Sequence, residues 1–191
     1  MLVLCEGQVT EFEYFDAFLR EVENPLVVVE IDSTGGVPKT LVERAAARKK
    51  DSEKRARRER DENLKYDEIW CVFDVDVHPN LPDARQQARA NGIKLAVSNP
   101  CFELWLLLHF SEQHAHIERK PAASLLRKYH PDYHKHVRFD LVRDGYTDAV
   151  QRAQQLDKRH RENGTKGGNP STDVYVLTER IREFGKGGRS R

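Results

Sequence analysis

The chain has no apolar run near the roughly twenty residues that a membrane-spanning helix needs, and the longest such stretch, Cys101 to Phe110, is far shorter. A helical membrane protein is excluded. No signal segment precedes the first apolar stretch, so a cytoplasmic protein is expected. Cysteine is scarce: Cys5, Cys71 and Cys101 are odd in number, lie in apolar stretches and never show C-x-x-C spacing. That argues against a disulfide scaffold and a thiolate metal site, and predicts three buried free thiols in a reducing compartment. An excess of one charge is also missing, because 32 basic side chains face 31 acidic ones. Total charge therefore speaks neither for nor against nucleic acid. The late loop NGTKGGNPST lacks the G-x-x-x-x-G-K-[ST] order, which rules out a P-loop nucleotide triphosphatase, although Lys166 among its glycines is a candidate phosphate contact.

What is present is a set of short apolar runs. They suit a single domain over residues 1–191, read as a core over about 1–110 and a helical extension over about 111–191. The run Ile69, Trp70, Val72 and Phe73 ends in Asp74 and Asp76. In extended backbone, positions i and i+2 point the same way, so both carboxylates face one side of a strand end. Two oxyanions held so close repel unless a hard cation neutralises them, and Mg²⁺ takes one or two carboxylates with waters and substrate phosphate. The alternative is that both are turn residues, where Asp is common. A second acidic strand end opens the chain: Leu2 to Cys5 runs into Glu6 and Gly7. Phe12, Phe15, Phe18 and Leu19 then recur at helical spacing behind Thr10 as N-cap. Ligands of parallel α/β sheets bind outside the carboxyl ends of strands, which lets acidic motifs far apart in sequence meet.

Strand, Glu-Gly, helix and a later strand ending in Asp-x-Asp resembles the Toprim domain of topoisomerases, bacterial primases and OLD-type nucleases, where such residues hold Mg²⁺. CEGQVTEFEYF, VFDVD, SNPCFELWLLLHF and the late NPST resemble more closely the RloB-like family of bacterial defence proteins, which carry a Toprim-like core. The resemblance spans nearly the whole chain and is most specific in SNPCFELWLLLHF. It implies an α/β fold with a mostly parallel sheet flanked by helices. It also implies a divalent-metal-dependent nuclease in which Asp74 and Asp76 hold Mg²⁺ or Mn²⁺ while Glu6 completes the coordination or serves as general base. The DYHKH segment matches the tyrosine-x-lysine that RloB-like sequences tend to carry, implying Lys135 as a phosphate contact. The implied setting is anti-phage defence by abortive infection, on DNA or on RNA including transfer RNA. The rival reading is a non-catalytic nucleic-acid or nucleotide sensor that signals to a partner defence protein.

Other candidates come from position. Glu103 lies in the first turn of the apolar helix Cys101 to Phe110; a buried carboxylate is costly, so it should meet a cation, a donor or the site itself. Ser98 and Asn99 precede that helix at another strand end. His78, beside Pro79 and Pro82, is either a metal ligand, a proton shuttle or merely exposed. Lys39 follows the Gly35-Gly36 loop at the helix opened by Pro38, and is a phosphate contact or the neighbour of a plain turn. That helix, reaching about Glu62, passes from Leu41, Val42, Ala45 and Ala46 to RKKDSEKRARRERDE. Its Arg48, Lys54, Arg55, Arg57 and Arg58 suit an arm along a phosphate backbone or a solvated projection laced with ion pairs.

Leu26 to Ile31 reads as a strand buried on both faces. Ser111 to about Asp144 reads as a lid or substrate-recognition insertion, and Ser171 or Thr172 as the cap of a last helix holding Val174, Leu177, Ile181 and Phe184. His114, His116, His130, His134 and His136 lack a cysteine partner and are interrupted by Pro131, so zinc is set aside. Strand order and oligomeric state stay open.

Overall fold

The computed structural model describes residues 1–31, 37–75 and 81–184. Four parallel strands, β1 (Leu2–Cys5), β2 (Val28–Ile31), β3 (Ile69–Asp74) and β4 (Lys94–Asn99), lie in the order β2-β1-β3-β4. A two-residue strand, β5 (Ser171–Thr172), runs antiparallel along the end of β4. β1 and β3 are buried at every position. Strands covered on both faces read as continuous apolar runs rather than alternating ones, which is what LVLC and IWCVF show.

The crossovers are α1 (Thr10–Val22), α2 (Pro38–Glu59) and α3 (Leu81–Asn91). Tyr14, Phe15 and Phe18 of α1 share a buried cluster with Val3, Cys5, Trp70 and Val72. Leu41, Val42 and Ala45 of α2 and Ala84 and Ala88 of α3 share another with Leu2, Leu4, Cys71 and Phe73. Alternate strand residues point to opposite faces, so α1 covers one face and α2 and α3 the other. The chain steps from β1 outward to β2, then back across to β3, and right-handed crossovers put helices of opposite travel on opposite faces. The carboxyl ends of β1 and β3 are thereby left side by side where the strand order reverses, the place where open α/β sheets bind ligands.

The face of α1 is completed by α4 (Phe102–Leu108), every residue of which is buried. After it come α5 (Arg119–Leu126), α6 (Phe139–Val142), α7 (Tyr146–Glu162) and α8 (Val174–Glu183). Ala149, Ala153 and Leu156 of α7 and Val174, Leu177 and Ile181 of α8 enter the same cluster as α1 and α4, so the C-terminal helices share the core of the sheet. All three cysteines are buried and free. Among the described residues no helix is long and apolar enough to cross a membrane.

Three local expectations are corrected. β2 is an edge strand, not one buried on both faces: Leu26 is 55% and Val28 47% exposed, because nothing pairs beyond it among the described residues. Thr10 is the first helical residue of α1, and the cap position falls to Val9 without a side-chain bond; the Thr10 hydroxyl is used across the fold instead. Ser171 and Thr172 form β5, although Thr172 Oγ1 still accepts the Val174 N–H at 3.3 Å.

An ion cluster fastens α8 to the opposite, amino end of β3. Arg180 donates from Nε (2.8 Å) and Nη2 (2.6 Å) to Glu68, which also accepts from Trp70 Nε1 at 3.1 Å and pairs with Lys94 at 3.1 Å. Burial pushes the Glu68 carboxyl up, but the Arg180, Trp70 and Lys94 donors outweigh it and bring it from near 4.5 down to about 2. A depressed folded-state value means stability that is present above the unfolded value and lost as pH falls. Glu68→Gln is expected to destabilise by about 1–2 kcal/mol at pH 7, given partial screening of the pair. The deficit relative to wild type should shrink as pH falls from about 4.5 toward about 2, read from urea midpoints across that range.

Candidate functional site

The carboxyl ends of β1 and β3 open into a cavity of about 420 Å³ lined by Glu6, Gly7, Thr10, Glu11, Asp74, Glu103, Arg119 and Lys135 together with Gln8, Val9 and Phe102. The Glu6 N–H donates to Val72 O at 3.0 Å, which carries the β1–β3 pairing one residue past the strand and sets Glu6 beside the end of β3. Asp74 closes β3 and is buried. Arg119, at the start of α5, donates to its Oδ2 at 2.6 Å.

Two helix starts bring in further carboxylates. Glu11, in the first turn of α1, and Glu103, in the first turn of α4, are both buried. Burial pushes the Glu11 carboxyl up; its own backbone N–H counteracts this, the Glu103 charge adds to it, and Arg119 and Lys135 pull it back. Glu103 Oε1 accepts the Tyr133 hydroxyl at 3.0 Å. Burial, then the Glu103 charge, holds that phenol well above its ordinary range, so it remains a donor. Burial also raises the Cys101 thiol, with the Glu103 and Asp74 charges adding to the shift, which leaves it inert.

Lys135 reaches the cavity from a backbone in the left-handed region, φ 73°. That conformation costs a non-glycine residue roughly 1 kcal/mol. Thr10 Oγ1 holds it, donating to Lys135 O at 2.7 Å and lying 3.3 Å from the Tyr133 hydroxyl. Gly7 lies against the Glu11 carboxylate, and a Cβ there would turn that side chain aside.

The structure thus brings Glu6, Gly7, Thr10, Asp74, Glu103 and Lys135 together from the sequence-derived candidates. Asp76, His78 and the Gly35-Gly36 loop lie outside the described residues. Ser98 and Asn99 do not line the cavity. Ser98 Oγ bonds Thr172 Oγ1 at 2.8 Å and Asn99 Nδ2 donates to Gly167 O at 2.9 Å, so both tie the C-terminal loop to β4. Lys39 pairs with Asp83 at 3.9 Å. Lys166 lines a different groove.

The basic half of α2 is neither a free arm nor wholly solvated. Ser52 and Ala56 are buried, and Lys49 Nζ donates to Asn91 O, at the end of α3, at 2.8 Å. Arg48 pairs with Glu30, Lys54 with Asp51 and Arg58 with Glu59. Because α2 runs back from the carboxyl end of β2 and meets the end of α3, its Arg48–Arg60 half sits at the amino edge of the sheet. The cavity is at the other edge.

Sequence reading missed Glu11 and Arg119. Glu11 had a signal, since it stands in the first turn of a helix that begins just after the Glu6 strand end, where side chains lean back toward the helix start. Arg119 had none, because it comes from a polar segment without periodicity.

The donor set is carboxylate oxygen without imidazole or thiolate, which fits a hard cation such as Mg²⁺ or Mn²⁺. Four carboxylates, Glu6, Glu11, Asp74 and Glu103, share the cavity with two cationic side chains, Arg119 and Lys135. Among the described residues, no three His, Cys, Asp or Glu side chains are gathered closely enough to hold a metal ion as they stand. Holding one would require side-chain rotation or a ligand from outside those residues.

Fold and cavity together define an α/β protein with an acidic site at the reversal point of a mostly parallel sheet, an architecture consistent with a Toprim-like fold. The chain belongs to the RloB-like protein family, whose model matches residues 1–181. No curated protein and no solved structure matches it.

Proposed function

We propose that the protein is a divalent-metal-dependent phosphodiesterase of Toprim type that cleaves nucleic acid, DNA or RNA including transfer RNA, as a cytoplasmic element of anti-phage defence. The observation that carries this reading is the meeting of Glu6, Glu11, Asp74 and Glu103 with Lys135 and Arg119 in one cavity. Glu6 and Asp74, with Asp76, would hold Mg²⁺ or Mn²⁺. Such an ion supplies a Lewis acid for a phosphoryl oxygen and lowers the pKa of bound water. Glu6 would either complete that coordination or take a proton from the attacking water, and Lys135 and Arg119 would meet charge developing on the phosphate. Tyr133 fixes Glu103 by its 3.0 Å hydrogen bond.

The test is to incubate the purified protein with labelled single- and double-stranded DNA and RNA in Mg²⁺, Mn²⁺ or EDTA. Cleavage in metal and none in EDTA is expected. Saturable binding with no turnover in any metal would favour the second reading, a nucleic-acid or nucleotide sensor that signals to a partner defence protein. That reading draws on the engagement of Asp74 by Arg119 and of Glu103 by Tyr133.

The outer face of α2 is the second surface for nucleic acid. Arg55, Arg57 and Arg58 are exposed, so changing all three to Gln is expected to leave the melting temperature nearly unchanged. Nucleic-acid affinity should fall similarly for every sequence, with the log-log salt slope shallower by about one unit per lost phosphate contact. Unchanged affinity and slope would reduce this half of α2 to a solvated, packed helix.

A further inference from the structure

Among the described residues β5 pairs with Ser98 and Asn99, and one further backbone bond on that side runs from Asp173 N–H to Val97 O at 2.9 Å. Backbone groups alternate between the two sides of a strand. Val97 O points outward from β3, so the N–H and C=O of Leu95 do too. From Lys94 to Val97 this outer edge has no strand partner among the described residues. Four residues of strand span about 13 Å, the length of a short added strand.

This edge is the floor of a groove of about 520 Å³, walled on one side by α3 and on the other by α8 with its exposed Val176. Arg85, Arg89, Lys94 and Lys166 line it against Asp157 and Asp173. Lys94 is committed to Glu68 at 3.1 Å, and Asp157 to Arg161 at 3.3 Å and Tyr175 at 3.0 Å. Arg85, Arg89 and Lys166 form no ion pair with the described residues. Exposed strand edges are templates for another chain unless blocked, and added strands take affinity from backbone bonds and specificity from flanking side chains.

We propose that the bare edge of β4 and the basic groove around it dock an extended acidic segment of a partner protein, which joins the sheet as a strand beside β4. Charge selects that occupant. A second copy would bring its own Arg85, Arg89 and Lys166 against these. Residues 185–191 of the chain carry Lys186, Arg189 and Arg191 and no acid, the wrong sign for this groove. A nucleic acid would satisfy the cations but leave the Leu95 amide and carbonyl unmatched.

Fluorescence anisotropy with a fluorescein-labelled peptide, Asp-Glu-Val-Thr-Val-Thr-Glu-Asp, tests this on the full chain. Saturable binding is expected. It should weaken at least about tenfold, the effect of losing roughly 1.4 kcal/mol, in each of three arms. One is the same peptide N-methylated at both valines, another is a Lys/Arg charge-reversed peptide, and the third is the Arg85→Glu, Lys166→Glu double variant. Because the Arg85 and Lys166 charges also offset the Asp173 carboxylate, the neutral Arg85→Gln, Lys166→Gln variant accompanies it and should weaken binding in the same direction with thermal unfolding close to wild type. Leu95→Pro removes the outward N–H at a position where an edge strand tolerates proline, and should weaken binding likewise. Absence of saturation up to about 1 mM overturns the proposal. So does equal binding by the N-methylated peptide, which would leave charge without strand addition. Binding of a single-stranded oligonucleotide that the double variant abolishes, with no peptide binding, would reassign the groove to nucleic acid.

Discussion

Asp74→Asn is expected to lower metal-dependent cleavage at least about 100-fold, since even changes to residues that merely support a metal ligand cost roughly 10–100-fold. The fold should survive. The Arg119 side chain that bonds Asp74 is half exposed and its charge also acts on Glu11, so loss of the Asp74 charge costs little there. Removing one negative charge from a pocket shared with Glu6, Glu11 and Glu103 also relieves repulsion, so the melting temperature should hold or rise slightly. Adding Mn²⁺ should raise the melting temperature of wild type but not of the variant. An ion bound only to the native state at 100 times its Kd adds about 2.7 kcal/mol. Glu6→Gln and Asp76→Asn should behave in the same way. Equal cleavage by wild type and Asp74→Asn would assign the activity to a contaminating nuclease. A manganese-induced shift surviving in the variant would place the ion elsewhere.

Much of this site is legible before any coordinates, because two physical regularities converge on it. Apolar runs that stop abruptly at an acid, LVLC at Glu6 and IWCVF at Asp74, mark strand ends, and parallel sheets gather such ends on one edge. Glu103 is readable for a different reason: an acid in an otherwise apolar helix needs a partner, and Tyr133 is that partner. What stays hidden depends on contacts between distant segments. The Thr10 hydroxyl has the chemistry of a helix cap, and only the approach of Lys135 O diverts it. β2 has the composition of a central strand, and only the strand order makes it an edge. The basic half of α2 looks wholly solvated in sequence although Ser52 and Ala56 are buried and Lys49 reaches the end of α3, because small residues spaced four apart are a faint signal among so many charges. Ser98 and Asn99 occupy a strand end just as Asp74 does, yet the late loop claims their side chains. Sequence position does not reveal which strand end faces the cavity.

Phe102→Ala is expected to cost about 3–5 kcal/mol, a large share of the roughly 5–15 kcal/mol that holds a domain folded. Phe102 is 1% exposed. Its ring meets Tyr14 edge-on at 5.6 Å and lies 5.9 Å from Phe15, so it joins α1 to α4 under the sheet. The same ring lines the acidic cavity. Truncation therefore opens a void toward the cavity that Glu103 and Glu11 also line. Water entering there would solvate both, and the burial that raises the Glu11 carboxyl would fade, returning it toward its ordinary value. The urea midpoint should fall with the slope unchanged, since the surface exposed on unfolding is nearly the same. Phe102→Leu refills most of the volume and should cost no more than about 1.5 kcal/mol, with cleavage within a few-fold of wild type. If Phe102→Leu kept its stability but lost cleavage, the aromatic face itself would be touching substrate, and the ring would belong to the site as well as to the core.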